Sequence, residues 1–316
     1  MTTSSPVVSI SATHALNEPI TPLSWALIFL IPGFWSINYL VGRSAPAVIA
    51  PHALAFSRWA LAAMILGVFA WRELQEKRHL IWQDRWHFLV LGLLGMWVCG
   101  AWLYVAARTT PANNIALIYA LSPVFIVLGA AVFLNESMRT RQWLGVLLAM
   151  TGLVHVVIQG RWHAIAQTEF VVGDLWVLGC AIAWAIYSLL LKRWPSPFSP
   201  LARLVLIAAA GSLFMLPLTI IEAWSGLPHT QTVWGWQTAG LIGAAAVFPG
   251  AGAYLSYSML QKRIGASRTA LVLYLGPLYA AALAWFVLGE PLHIYHAIGA
   301  AIILPGIYLA SQAKSQ

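Results

Sequence analysis

Long apolar stretches, each about as long as a bilayer crossing and closed by brief polar punctuation, set the pattern of this chain. A scan for runs of roughly 17–25 residues predicts ten helices, over 22–42, 51–71, 86–107, 112–134, 141–158, 173–192, 200–223, 236–260, 267–288 and 293–312. The connections carry the breakers and charges, as in Arg108-Thr-Thr-Pro111 and Lys192-Arg-Trp-Pro195. Strands are excluded, because lipid admits only helices or closed barrels and these runs are about twice a barrel strand's length. The pattern is that of an all-α integral membrane protein.

Composition agrees. Hydrophobic residues make up 60% and charged residues 8%, where a soluble domain carries about 25% charged, so lipid must be much of the solvent. The two cysteines, Cys99 and Cys180, sit inside apolar runs and read as free thiols packed among helices. Residues 1–20 contain no Lys or Arg and no compact apolar core, so they do not resemble a cleavable signal peptide. The net charge of +8 would suggest acidic partners until its distribution is examined. With the N-terminus inside, the inner loops and helix ends hold Arg72, Lys77, Arg78, Arg85, Arg139, Arg141, Lys192, Arg193, Arg203, Lys262, Arg263, Arg268 and Lys314; the outer side holds Arg43, Arg108 and Arg161. That bias places both termini in the cytosol, in a plasma (inner) membrane. The charge is a topology signal, and nucleic acid is not expected as a partner.

The chain repeats itself. A shift of 154 residues brings Pro123 onto Pro277, Glu136 onto Glu290, Gly145 onto Gly299 and Gly152 onto Gly306 without a gap, with 10 identities across the 41 positions 112–152. Earlier in each half the offset is 149, matching Trp35 to Trp184 and Arg43 to Lys192. The expected organisation is a tail (1–21), a five-helix repeat (22–158), a linker (159–172), a second five-helix repeat (173–312) and a short tail (313–316). Five crossings per half force the second half upside down, and inverted repeats are a signature of secondary transporters that work by alternating access.

The run Gly265-Ala-Ser267, Leu275-Gly-Pro277, Leu288-Gly-Glu290, Gly299-Ala-Ala-Ile-Ile303 and Gly306 resembles the closing signature of the EamA branch of the drug/metabolite transporter superfamily. A weaker copy stands at Leu121-Ser-Pro123, Leu134-Asn-Glu136, Gly145 and Gly152, and Trp35-Ser-Ile-Asn38-Tyr39 with Arg58-Trp59 is similar to that family's Trp-Gly-Ser-Asn-Phe and Arg-Phe elements. Ser36 stands where that pattern has Gly, which bears on the packing of helix one. The resemblance spans about 22–312 and is most similar to amino-acid exporters of the YddG type. It implies ten helices around a central cavity lined by helices one, three, four, six, eight and nine.

Helix breaks point to the same place. Proline within a span removes one backbone hydrogen bond and frees the carbonyl four residues earlier: Tyr119 for Pro123, Leu273 for Pro277. Helix eight is interrupted at Phe248-Pro249-Gly250-Ala-Gly252, opposite Gly95–Gly100 of helix three in the repeat. Paired breaks mark midplane binding sites, although they also serve as plain kinks. Helical spacing nominates Trp97, Gly100 and Tyr104 in helix three, and Tyr254, Tyr257 and Ser258 in helix eight. Trp35, Asn38 and Tyr39 in helix one, Trp184 and Tyr187 in helix six, and Tyr119 and Tyr274 in helices four and nine complete the set. Their apolar bodies and polar tips suit zwitterions and aromatic solutes, with core packing or an interfacial belt as the other use of such residues. Arg58 lies inside helix two, and an intramembrane charge marks function by default; a substrate carboxylate or backbone carbonyls could partner it.

The nine acids all fall in loops, tails or helix ends. A proton-coupled exporter of cations would need one at mid-span, so facilitated export or exchange is expected, with Glu136 and Glu290 bracing helix ends. Phosphate cargo would want several deep cations. His293 and His296 lack a third ligand, so no metal is expected, and no cofactor motif appears. The expected partners are a small-molecule substrate and the lipid bilayer, with the chain a monomer or homodimer. The alternative is a membrane-embedded enzyme acting on lipid-soluble substrates, but Ser57, Ser122 and Ser258 have no evident base at matching depth. A channel would need charged rings.

Overall fold

A computed structural model describes residues 21–106, 109–136, 138–166, 169–225 and 232–311, with backbone alone for Tyr39, Arg43, Pro46, Ala112, Asn113 and Leu288. The two terminal tails (with Glu18 and Lys314), Arg108 and the Tyr39 side chain lie outside the described residues. Every regular element among the described residues is helical. Nine segments are long and apolar enough to cross a membrane, from Pro22–Gly42 and Pro51–Glu76 through to Ile294–Ser311. The fifth helix, Thr140–Val157, opens on the polar turn Thr140-Arg141-Gln142 and is the least apolar of the ten. It belongs to the bundle nonetheless, since its packing along Ile294–Ser311 is the most extensive of any helix pair.

Glycine makes that pairing possible. A Cβ on Gly145 would lie 2.6 Å from the Gly306 carbonyl oxygen and 2.5 Å from the Ala310 nitrogen, and one on Gly306 would lie 2.6 Å from the Ala149 nitrogen. The two backbones therefore meet directly, as small residues allow within a bilayer. Helices one, two and seven start on Pro22, Pro51 and Pro200, where the missing N–H costs nothing. The Ser36 hydroxyl, standing where the resembled pattern has glycine, turns back onto the Gly33 carbonyl at 2.8 Å, and the residue is buried.

Contacts between loops define two ends of the bundle. At one end Lys77 donates to the Pro197 carbonyl, Arg193 to that of Phe133, and Glu136 accepts from the start of helix nine. At the other, Val233 donates to Val48, and Asn114 to Asp174 and to the Glu169 carbonyl. Helix one runs from the first end to the second and helix six, Val172–Arg193, runs back. The fold is thus two inverted five-helix repeats.

Carboxylates at matching helix ends clasp the halves together. Glu73, at the end of helix two, accepts from the Ser199 N–H at 2.8 Å and the Ser199 hydroxyl at 2.5 Å, where helix seven begins. Glu222, at the end of helix seven, accepts from the His52 N–H at 2.9 Å and the Ala53 N–H at 3.3 Å, where helix two begins. Glu73 and Glu222 are 149 residues apart, the repeat offset, so each half caps the other in the same way. A carboxylate on the orphan N–H groups of a helix start is a charge-assisted bond, reinforced by the helix dipole. Arg203 serves the opposite terminus, donating to the Leu191 and Trp194 carbonyls at 2.9 and 2.8 Å where helix six ends.

Candidate functional site

Helices three and eight both widen at mid-span into π-helical segments, Gly92–Trp102 and Ala246–Gly252. Helices four and nine both break just before their prolines. Helix four stops at Tyr119 and resumes at Ser122; helix nine tightens to 3-10 geometry over Leu271–Leu275 and resumes at Gly276. The four irregular stretches sit at corresponding positions of the two halves and surround one space.

That space is a cavity of about 280 Å³, lined by residues of both halves: Trp35, Asn38, Arg58, Tyr119, Trp184, Tyr254 and Tyr274 among the polar and aromatic groups, with Pro123, Pro249 and Pro277 at the breaks. It shares Trp35, Leu103, Ala116, Tyr119, Gly276 and Pro277 with a second, wider space of about 820 Å³. The wider one reaches Gln159, Glu290, His293 and His296, residues of the end that carries the Asn114–Asp174 contact. Toward the other end packing is closed. There Tyr257 and Ser188 share a hydrogen bond of 3.1 Å, Gln261 donates to the Ser188 carbonyl at 2.9 Å, and Glu136 caps Ala266 and Ser267.

Arg58 is 5% exposed and forms no ion pair among the described residues. Its Nη1 donates over 3.5 Å to Asn38 Oδ1 and over 3.4 Å to Tyr104 Oη, while Tyr104 itself donates to Asn38 at 3.0 Å. The guanidinium carbon lies 4.9 Å from the Trp59 ring centroid, and Nε has no partner among the described residues. Room for the head group comes from Gly100, where a Cβ would lie 3.1 Å from both Arg58 Nη2 and Trp59 Nε1. The variant Gly100→Ala is expected to weaken the apparent affinity for cargo about fivefold, roughly 1 kcal/mol, with folding intact; transport KM and thermal stability measured side by side check this.

Some nominated residues support the lining rather than form it. Tyr187 stacks on Trp184 at 5.3 Å, and Tyr257 packs against Trp35 and Trp184. Both are almost fully buried, as is Ser258, and Gly250 and Gly252 lie within the π-helical turn of helix eight. Tyr257→Phe is expected to cost about 1 kcal/mol of stability through the lost Ser188 bond, readable as a small drop in thermal midpoint. Trp97 is turned away, between Phe214 and Trp102. The reason is the π-helical turn: i→i+5 bonding widens each turn, so steps of three and four residues no longer return to one face. The carbonyls expected to be free are also taken. Ser122 Oγ donates to Tyr119 O at 2.5 Å, and the Gly276 N–H to Leu273 O. Pro32, Cys99 and Leu103 also line the cavity; the helical spacing of Pro32 from Trp35 is the signal that finds the first, while no regular spacing through the π-helical stretch finds the other two.

Two inverted halves of membrane-length helices, broken at matched positions around a cavity shared by both, define a multi-pass membrane protein of the transporter class. The EamA-like transporter family model matches residues 23–158 and 171–312, and the chain belongs to that family. Among curated relatives it is 26% identical over 282 residues to the uncharacterized transporter YyaM of Bacillus subtilis, covering 88% of this chain and 90% of that one. It is 30% identical over 207 residues to a probable terminal-alkyne amino-acid exporter of Streptantibioticus cattleyicolor, covering 64% and 65%. A solved crystal structure superposes with a TM-score of 0.73 at 19% identity, covering 95% of this chain and 98% of that one, which speaks to the fold alone.

Proposed function

We propose that this chain is a secondary transporter that moves small metabolites, foremost amino acids with neutral or aromatic side chains, across the plasma (inner) membrane by alternating access. The observation that carries the reading is the mid-bundle cavity framed by paired helix breaks from two inverted halves, with aromatic walls and the buried cation Arg58. The similarity to a named amino-acid exporter supports the cargo class. The Lys and Arg bias supports cytosolic termini, which makes the described conformation the outward-open one. Residues 22–158 and 173–312 are the moving repeats, and the lining residues of both are the substrate-binding set.

Purified protein in proteoliposomes preloaded with unlabelled L-phenylalanine is expected to accumulate labelled phenylalanine transiently and saturably, without an imposed pH gradient. Uptake that is linear in concentration and blind to preloading would sink the reading. Dependence on a pH gradient would sink its facilitated form.

A further inference from the structure

We infer that the cavity holds its cargo by the carboxylate alone and does not read the amine, so that 2-hydroxy and 2-oxo acids with aromatic or apolar side chains are cargo alongside the matching amino acids. The inference rests on the transporter reading above and narrows its substrate class.

The charge balance is one-sided. Arg58 lines the inner cavity, and among the described residues no Asp or Glu does; Glu290 belongs to the wider space beyond it. Among the described residues this buried guanidinium has two long bonds to neutral oxygens and the face of Trp59, with Nε unpartnered; it is under-satisfied, because an ion out of water needs a counter-charge or full hydrogen bonding. A carboxylate arriving in the cavity supplies both, in the forked geometry a guanidinium favours.

An ammonium finds no such welcome. Several backbone carbonyls around the helix breaks, which could have accepted its protons, already accept from side chains, and Tyr274 Oη, unpartnered among the described residues, offers a neutral oxygen and no counter-charge. Gly95 O accepts from Tyr254 Oη at 2.9 Å, Tyr119 O from Ser122 and Val98 O from Cys180 Sγ at 3.4 Å. Asn38 Oδ1 accepts from both Tyr104 and Arg58. The ring faces are engaged as well: Trp35 meets Trp184 at 81° and Tyr254 at 87°, and Trp184 meets Tyr254 at 82°. Part of the π surface of these three rings is thus already covered by neighbouring rings. An ammonium beside the carboxylate would also sit near the positive Arg58. Exchanging it for a hydroxyl or an oxo group removes a desolvation cost and loses no counter-charge.

The test is competition in wild-type proteoliposomes against labelled L-phenylalanine by three unlabelled compounds: L-phenylalanine, 3-phenyllactate and phenethylamine. Half-inhibition by 3-phenyllactate is expected within about threefold of phenylalanine's, and phenethylamine is expected to be weaker by more than about tenfold, the factor that about 1.4 kcal/mol produces. Arg58→Gln is expected to abolish competition by both acids, while Arg58→Lys retains part of it. Inert phenyllactate, or phenethylamine as potent as phenylalanine, overturns the inference. Thermal shifts of purified protein separate it from the transport reading. If no counterflow occurs yet both acids stabilise wild type and not Arg58→Gln, the anion site stands and transport falls. With neither shift nor competition, the inference falls too. Should Arg58→Gln fail to fold, Tyr104→Phe, which withdraws one of the two neutral partners of the guanidinium, is expected to change potency for both acids equally; a change confined to phenylalanine counts against the inference.

Discussion

Glu136→Ala is expected to lower the folding free energy by about 3–5 kcal/mol, the range for stripping one partner from a buried, charge-bearing network, and to reduce transport more than tenfold. Glu136 is 1% exposed and accepts three bonds at the start of helix nine: from Ala266 N–H at 3.2 Å, Ser267 N–H at 3.1 Å and the Ser267 hydroxyl at 3.1 Å. Alanine removes all three and leaves two buried N–H donors empty at a helix terminus, where the next turn must lead directly into the 3-10 stretch that lines the cavity. Glu136→Gln keeps one acceptor oxygen and is expected to fall between wild type and alanine. Ser267→Ala, losing a single hydroxyl bond, is expected to cost about 1 kcal/mol. Thermal midpoints in one detergent, with counterflow rates in proteoliposomes, give the order wild type, Ser267→Ala, Glu136→Gln, Glu136→Ala; an alanine variant as stable as wild type would remove the cap from this account.

Gly145→Val and Gly306→Val are expected to prevent accumulation of folded protein in the membrane. At both positions the nearest obstacles to a Cβ are backbone atoms of the partner helix, at 2.5 to 2.6 Å. No rotamer can make way; the helices must separate along their whole seam. Overpacking commonly costs 1–3 kcal/mol, and about the upper end or more is expected where backbone opposes backbone. Gly240→Ala and Gly243→Ala are the controls, since nothing lies within 4 Å of a Cβ at either site. Alanine there is expected to be neutral or mildly stabilising, by up to about 1 kcal/mol, because a helical glycine carries an entropic cost. Membrane-fraction yield and size-exclusion profile distinguish the two classes.

The crossings were legible because a bilayer leaves the backbone so little choice: uninterrupted apolar length suffices to mark helices such as Pro51–Glu76 and Pro200–Trp224. The repeat was legible through Pro123, Glu136, Gly145 and Gly152, which keep one register with their partners. Side-chain direction was less so. The face assigned to Trp97 assumed 3.6 residues per turn, and the π-helical turn over Gly92–Trp102 breaks that count just where the site begins. The reciprocal caps made by Glu73 and Glu222 were present in the offset of 149 but silent, because a carboxylate at a helix end looks alike whether it meets water or the N–H groups of another helix. The carbonyl of Tyr119 shows the same limit. Proline 123 announces that a carbonyl is released, and nothing in the spacing says that Ser122, one residue earlier, will claim it.

The widened turns in helices three and eight have a consequence for how this chain tolerates changes in length. Each holds a surplus residue against a regular α-helix of the same rise. Deleting one residue anywhere in Gly92–Trp102 would let that crossing close into an ordinary helix, but it would swing everything beyond the lesion by about 100°. Gly92, seated against Ile207 and Gly211 of helix seven, and Leu103, on the cavity wall, could then no longer both keep their stations. Surface loops can gain or lose residues while these two crossings cannot: their residue count acts as a ruler that sets the aim of the cavity wall.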